Sequence, residues 1–335
     1  MTVKIGINGF GRIGRNTFRA LQDNERMEVV AVNDLTDNAT LAHLLKYDSL
    51  YGKFPASVEL KGNNLVVAGR DVRIFSEPQP EKLPWANVGV DVVIEATGRF
   101  RTHADASRHL QGGAKKVIVT TPVNDADIIV VMGLNLNDYD SQKHNVISNA
   151  SCTTNALAPV VKVLHENFGI RKGLMNTTHS YTNDQRLLDL PHPDLRRARA
   201  AQVSFIPTTT GAAKVIGKII PELNGKIDGF AIRVPTPTVS LVDFVAEVNK
   251  KATAATVNEA MKAAASGELH GIMDYSEEPL VSVDYKGSPF SSTVDSLLTM
   301  VIGDNLVRVV AWYDNEWGYS HRVADLALFV GSSLT

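Results

Sequence analysis

The sequence predicts an α/β Rossmann-type doubly wound sheet followed by an α+β domain on a mixed or antiparallel sheet. Three observations carry that prediction. Short apolar strands alternate with helix-like stretches through the first 150 residues. The pattern G-x-G-x-x-G stands between the first strand and the first helix. Beyond residue 170 the strands lengthen and gather β-branched and aromatic residues, and the helices separate from them. Alternation implies a mostly parallel sheet, and strands in bulk imply α+β. A chain of 335 residues, 44% hydrophobic and 21% charged, is long enough for two such domains. The expected division is 1–150, completed by a C-terminal helix over 317–335, and a second domain over 151–316.

Taken in order, Val3–Asn8 reads as a short buried strand. Gly9, Gly11 and Gly14 follow, then Ile13, Phe18 and Leu21 at helical spacing, then Met27–Asn33 as a second strand ending at Asp34. The tight turn calls for glycine at Gly9, the approach of a pyrophosphate for glycine at Gly11, and helix–strand packing for glycine at Gly14. The helix N-terminus then faces the phosphates. With both strands, the helix and the terminal acid present, the unit reads as a dinucleotide site. The alternative is a glycine-rich turn in some other α/β domain. A carboxylate at Asp34 accepts hydrogen bonds from adenosine ribose hydroxyls and repels a 2′-phosphate, which favours NAD over NADP. Leu41–Leu45 and Thr102–Gln111 read as helices, the latter capped at Gly112-Gly113. Residues 91–97, Lys116–Thr120, Ile128–Gly133 and Val146–Ser148 read as strands. Ligands bind at the carboxyl ends of such strands, where Asp34, Thr97, Thr120 and Cys152 fall.

In the second half Ser204–Pro207, Gly229–Val234, Val239–Val248 and Val307–Asp314 read as strands. Ala212–Ile219 and Val257–Ala265 read as helices. The stretch from Trp317 to Val330 carries Val323, Leu326 and Phe329 at helical spacing and is expected to pack back on the first domain.

Bulk properties exclude some function classes. The net charge of −2 calls for neither nucleic acid nor an acidic surface as partner. The single cysteine cannot form an intrachain disulfide, the N-terminus lacks a signal-peptide layout, and the longest apolar stretches are too short to span a bilayer. A cytoplasmic protein is expected.

That one cysteine, Cys152, lies in Ala150-Ser151-Cys152-Thr153-Thr154-Asn155, after a strand and before an apolar helical stretch. At a helix N-terminus, unpaired N–H groups and the dipole favour a thiolate, the nucleophile of cysteine chemistry. The competing reading is a small buried hydrophobe. Pro159 falls inside the stretch and predicts a kink or a later helix start. His179, near a strand end among polar neighbours, reads equally as a base for the thiol or as a hydrogen-bonded structural histidine. Arg233, in an apolar strand, needs an anion or a carboxylate. Thr208-Thr209-Thr210-Gly211 precedes a helix and offers hydroxyls and N–H groups to a phosphate. The basic run Arg196, Arg197 and Arg199 lacks the interleaved aromatics of a nucleic-acid site and reads as a solvated or subunit-contact loop. No residue set has metal-ligand spacing; His192 with Asp194 is too thin a pairing.

Together these motifs resemble the phosphorylating, glycolytic glyceraldehyde-3-phosphate dehydrogenase family. The matching runs are Asn8–Arg15, Ser148–Asn155, His192–Ala200, Pro207–Lys214, Arg233–Pro237 and Trp312–Ser320, so the resemblance covers essentially the whole chain. It implies Cys152 as nucleophile and His179 as the base that activates it, in a catalytic domain. It places Ser151, Thr153, Thr210 and Gly211 around inorganic phosphate, and Thr182, Arg197 and Arg233 against anionic groups of substrate and phosphate. Arg12, Ile13, Asp34, Thr120 and Asn315 would touch NAD, with Asn315 on the nicotinamide amide. The family is a homotetramer in which the loop through Asn183–Ser204 packs near subunit interfaces. This chain departs from the family pattern at Ala156, Pro78 and Thr238, none in the implied catalytic set. The erythrose-4-phosphate dehydrogenase subgroup, where water resolves the thioester, is the nearest alternative; the intact Thr208–Gly211 loop argues against it. A non-catalytic NAD- or RNA-binding protein on the same scaffold is the alternative from another class, and the retained Cys152 and His179 argue against it.

Overall fold

The computed structural model describes residues 2–22 and 24–334. They form two compact units. One comprises Met1–Val130, Leu136–Ala150 and Ser320–Thr335, the other Val131–Asn135 and Ser151–Tyr319.

The first unit is a doubly wound sheet. Its strands are β1 (Val3–Asn8), β2 (Met27–Asn33), β3 (Val58–Lys61), β4 (Asn64–Val67), β5 (Arg70–Phe75), β6 (Val92–Glu95), β7 (Lys116–Val119), β8 (Ile128–Ile129) and β9 (Val146–Ser148). Among the described residues they lie in the order β8-β9-β7-β6-β1-β2-β5-β4-β3. Pairing is parallel from β8 to β5 and antiparallel along β5-β4-β3. Ile5, Ile7, Ile94, Ile118 and Ile147 are fully buried at its centre, as strands covered on both faces require. Helix α1 (Arg12–Leu21) follows β1, and α2 (Asn38–Lys46) follows β2, capped by the Asp37 side chain on Thr40 N. Near the other end of the chain, a Cβ at Gly331 would lie 2.2 Å from Val3 Cγ1, so the C-terminal helix packs tightly on β1.

Two local expectations are corrected and one edge is new. The stretch Thr102–Gln111 is two short helical turns, His103–Ala106 and Arg108–Gln111, because the Ser107 hydroxyl turns back onto Ala104 O and the chain tightens there. The strand foreseen over Ile128–Gly133 stops at Ile129, since the Asn135 side chain takes Val131 N at 2.9 Å and withdraws it from the ladder. The antiparallel edge β3-β4-β5 was not anticipated. Its turns are the two-residue pairs Gly62-Asn63 and Ala68-Gly69, and Gly62 and Gly69 both have positive φ, the usual hairpin chemistry.

The second unit carries helix α3 (Cys152–Phe168), then β10 (Ile170–Ser180), β11 (Ile206–Thr209), α4 (Ala212–Ile219), β12 (Ile227–Val234), β13 (Ser240–Val248), α5 (Ala254–Ser266), β14 (Met273–Ser276), β15 (Ser292–Asp295), β16 (Met300–Ile302) and β17 (Leu306–Tyr313). Helix α6 (Trp317–Ser332) closes the chain. The sheet order is β11-β12-β10-β13-β17-β15-β14, with β16 beside β17. It is mixed: β10 pairs β12 in parallel and β13 antiparallel. Along β13 buried and half-buried residues alternate strictly, so one face is core. The long strand β10 positions the site. In its register with β12, His179 stands opposite Arg233. Glycine permits that approach: a Cβ at Gly229 would lie 2.0 Å from Met175 O. Helix α3 begins at Cys152 and runs unbroken through Pro159, so the expected later start is corrected.

Candidate active site

The thiol is positioned by a helix cap. Ser151 is the N-cap of α3, its hydroxyl accepting from Thr154 N at 3.0 Å, which leaves Cys152 as the first helical residue. Just before it, Ala150 takes φ +54°, a strained conformation for a residue with a Cβ. Cys152 Sγ lies 3.5 Å from His179 Nε2.

The far side of the imidazole decides what that contact can do. His179 Nδ1 is 2.6 Å from Ser180 O, while Arg233 Nη1 lies 2.9 Å from Nδ1 and 3.1 Å from the same carbonyl. Arginine only donates. With Nδ1–H and Nη1–H both directed at Ser180 O, the Nε2 lone pair faces the sulfur. Burial, with the Arg233 charge adding to it, pushes the imidazole down to about 3, so it stands neutral with Nε2 unprotonated. Cys152 as a whole keeps some exposure, but its sulfur is packed round by protein. That burial pushes the thiol up, against the pull of Arg233, Thr153 and the helix amides. The resting pair is thiol and neutral imidazole.

Behind the thiol runs a buried hydroxyl chain. Thr153 Oγ1 meets Tyr313 OH at 2.9 Å, Tyr313 OH meets Thr177 Oγ1 at 3.0 Å, and Thr177 donates to Leu241 O at 2.9 Å. Burial holds the Tyr313 phenol far above its usual range, so it stays protonated. Sequence reasoning missed Tyr313 and Thr177. The only available signal was Thr177 standing two residues before His179, hence on the same strand face.

Two guanidinium charges, Arg233 and Arg197, bear on His179. Arg197 Nε donates to Thr208 Oγ1 at 3.0 Å and pairs with Asp184. Arg233 has no carboxylate within ion-pair distance among the described residues, and its Nε is buried without a hydrogen bond. Burial and the Arg197 charge both push it below its usual value. A half-buried cation with a spare buried donor, under the charge of a second cation, is suited to bind an anion. The Thr208–Gly211 loop ends at the N-terminus of α4. Thr210 Oγ1 accepts from Ala212 N at 3.2 Å, Gly211 is the N-cap, and a Cβ there would meet nothing within 4 Å. Thr182 N approaches Gln185 Oε1 at 3.4 Å. Asn315 is buried, and its Oδ1 accepts from the hydroxyls of Ser180 at 2.8 Å and Ser240 at 3.0 Å, which leaves the amide nitrogen as its free donor end.

The first unit holds a separate cleft of about 350 Å³, lined in part by Asn8, Gly9, Gly11, Asp34, Pro78 and Thr97. Gly9 has φ +91°, and a Cβ on it would lie 2.5 Å from Thr97 N. A Cβ on Gly14 would lie 2.1 Å from Gly9 O, whereas one on Gly11 would meet nothing within 4 Å. Two glycines are therefore required by the protein's own packing, and the space beside the third is open. Asp34 accepts from Phe10 N at 2.8 Å and Thr36 N at 3.0 Å. Arg12 is ion-paired with Asp48 at 3.1 Å, Ile13 beside it is half-buried, and Thr120 Oγ1 donates to Glu95 O at 3.0 Å.

Residues 3–103 match the family described as glyceraldehyde 3-phosphate dehydrogenase, NAD binding domain, and residues 151–315 match its C-terminal domain. The chain is 63% identical over 332 residues to the glyceraldehyde-3-phosphate dehydrogenase of Geobacillus stearothermophilus, covering 99% of both chains. It is 60% identical over 330 residues to glyceraldehyde-3-phosphate dehydrogenase 1 of Bacillus subtilis (strain 168), covering 98% of both. It is 56% identical over 335 residues to glyceraldehyde-3-phosphate dehydrogenase 2 of Streptomyces avermitilis, covering all of both. The chain belongs to the glyceraldehyde-3-phosphate dehydrogenase family. The open cleft and its glycines fall inside the segment matched to this family's NAD-binding domain, so the cofactor is NAD. The thiol, the imidazole and both guanidiniums fall inside the segment matched to the family's C-terminal domain.

Proposed function

We propose that the chain oxidises D-glyceraldehyde 3-phosphate with inorganic phosphate to 1,3-bisphosphoglycerate, reducing NAD, through a thioester on Cys152. The observation that carries the reading is the thiol 3.5 Å from an imidazole nitrogen whose partner nitrogen is committed to Ser180 O. His179 Nε2 takes the thiol proton as sulfur bonds to the aldehyde carbon, and returns it to the developing alkoxide. The same nitrogen then removes that hydroxyl proton as the carbon loses hydride, which leaves a thioester. When bound, NAD supplies the hydride acceptor. Its adenosine ribose would be held by Asp34, its pyrophosphate by the Gly9–Gly14 turn with Arg12 and Ile13, and its nicotinamide amide by Asn315, with Thr120 nearby. Arg233, Arg197, Thr182, Thr210 and Gly211, with Ser151 and Thr153, hold the substrate phosphate and the incoming inorganic phosphate. A phosphate oxygen attacks the carbonyl carbon, the C–S bond breaks, and thiolate is restored. The imidazolium and the Cys152 amide would stabilise the oxyanion at each addition.

The test is NADH formation from glyceraldehyde 3-phosphate with and without inorganic phosphate, using NAD or NADP. Turnover is expected to require phosphate and to prefer NAD. A rate indifferent to phosphate would favour the water-resolved erythrose-4-phosphate subgroup, and equal use of both cofactors would remove Asp34 from selectivity.

A homotetramer in the cytoplasm belongs to the same proposal. No helix among the described residues is long and apolar enough to cross a membrane. In the loop through Asn183–Ser204 and just after it, Leu187, Leu188, Leu190, Leu195, Val203 and Phe205 are 60–81% exposed, which is costly in an isolated chain. Light scattering on the purified protein is expected to return four times the chain mass; a monomer at micromolar concentration would refute the assembly.

A further inference from the structure

Beneath the dinucleotide cleft lies a buried carboxylate that the mechanism does not use. Glu95, at the end of β6, is buried, as are Asn8 and His109 beside it. Four donors converge on it. Asn8 Nδ2 donates to Oε2 at 2.6 Å, His109 Nε2 lies 3.0 Å from Oε2, Thr97 N donates to Oε1 at 2.8 Å, and the Thr97 hydroxyl also meets Oε1.

The direction of each bond is fixed from outside. Trp85 Nε1 can only donate, and it does so to His109 Nδ1 at 3.1 Å, so the imidazole proton sits on Nε2 and points at Glu95. The Thr97 oxygen accepts from Arg99 N at 3.1 Å, so its own proton goes to Glu95. Asn8 has its Oδ1 committed to Asn33 Nδ2 at 2.7 Å, and Asn33 Oδ1 in turn accepts from Glu77 N at 2.8 Å. One polarised chain therefore runs from Glu77 through Asn33 and Asn8 to Glu95, across the carboxyl ends of β2, β1 and β6. A second runs from Trp85 through His109 to the same carboxylate. Asn8, Asn33, Glu77 and Thr97 all line the cleft. Glu95 does not line it.

We propose that Glu95 is a positioning residue for the cofactor: as the common acceptor of four donors, it holds Thr97, Asn8 and Asn33 in the arrangement that the dinucleotide meets. A carboxylate is required because a carboxamide at 95 has only one accepting oxygen. Whichever way it turned, either the Thr97 amide or the Asn8–His109 pair would face another donor. The proposal rests on the cleft being the NAD site.

The experiment measures NAD dissociation constants by calorimetry, with steady-state kinetics and thermal melting, for wild type, Glu95→Gln and the exchanged pair Asn8→Asp/Glu95→Gln. Wild type must bind NAD; if it does not, the assignment of the cleft fails before Glu95 is in question. For Glu95→Gln the dissociation constant and KM for NAD are expected to rise about tenfold, the scale of one or two misdirected buried hydrogen bonds, with kcat at saturating NAD unchanged. In the exchanged pair the carboxylate sits at position 8 and the carboxamide at position 95. That carboxylate accepts from the carboxamide nitrogen, from Asn33 and from His109, while the carboxamide oxygen accepts from Thr97, so most of the lost affinity is expected to return. Unchanged NAD affinity in Glu95→Gln overturns the proposal. So does a loss of kcat, melting temperature and affinity together that the exchanged pair leaves unrepaired, because that is a general structural defect. If Glu95→Gln proves insoluble, His109→Leu and His109→Gln decide. Glutamine can both donate to Glu95 and accept from Trp85, so it is expected to keep wild-type NAD affinity, whereas leucine weakens it about threefold. Equal affinities in these two variants overturn the proposal.

Discussion

Replacing Cys152 by alanine is expected to reduce kcat for aldehyde oxidation on the order of 10⁴-fold or more, while NAD affinity stays near wild type. The size follows from what is removed. Every covalent stage of the proposed route passes through this sulfur, and no other cysteine exists in the chain to replace it. The change should be silent in the fold. Residue 152 is the first position of α3, the cap is made by Ser151, and alanine is the best helix former. NAD binding reports on the Gly9–Gly14 cleft in the first unit and should not register the loss. The measurement pairs phosphate-dependent NADH formation with calorimetric NAD binding and with intact mass after exposure to 1,3-bisphosphoglycerate. Wild type should gain the mass of one acyl group, and Cys152→Ala none. Turnover within tenfold of wild type would put the nucleophile elsewhere.

Much of this site was legible in the sequence because its parts are local. The strand, G-x-G-x-x-G turn, helix and terminal Asp34 lie within 34 residues, and Gly9 and Gly14 prove indispensable for steric reasons that their spacing implies. The cap that sets Cys152 at a helix start is likewise a four-residue signal, Ser151 to Thr154. What was illegible is what strand pairing brings together. That His179 faces Arg233, and that the two share Ser180 O, depends on the register of β10 with β12, which no local pattern encodes. The strand β10 was read only at its end, near His179, because Lys172, Gly173 and Asn176 interrupt its apolar rhythm, although Gly173 is there to admit Phe244, 2.7 Å from where a Cβ would stand. Arg233 was expected to need an anion, and its buried, unbonded Nε agrees with that requirement. Its contact with His179 was not foreseeable. Glu95 and His109 gave no signal at all, since a lone acid at the end of an apolar strand and a lone histidine in a helical stretch are each unremarkable until they meet.

Replacing His179 by asparagine is expected to lower kcat roughly 10²- to 10⁴-fold, the usual worth of a positioned general base, and to change the shape of the pH profile as well as its height. In wild type the imidazole is held neutral down to about pH 3 by burial and by Arg233, so a base at Nε2 would stay unprotonated across the whole neutral range and add no titration of its own there. Reaction of Cys152 with iodoacetamide should therefore depend weakly on pH. Asparagine has no site for the thiol proton. The thiol must then ionise to solvent, and burial has raised its pKa. In His179→Asn the alkylation rate should climb about tenfold per pH unit through the neutral range and level off only at a higher pH than in wild type. Stability should move in the opposite sense. Below pH 6.5 the unfolded wild-type chain binds a proton on His179 that the folded site refuses until about pH 3, so this residue costs stability as pH falls through that window. Asparagine carries no such penalty, and the acid unfolding midpoint of His179→Asn should lie at lower pH than that of wild type. A histidine that merely filled space would leave the alkylation profile where it was. If the two profiles coincide while turnover falls, His179 is not the base, and the proton must leave Cys152 by another route.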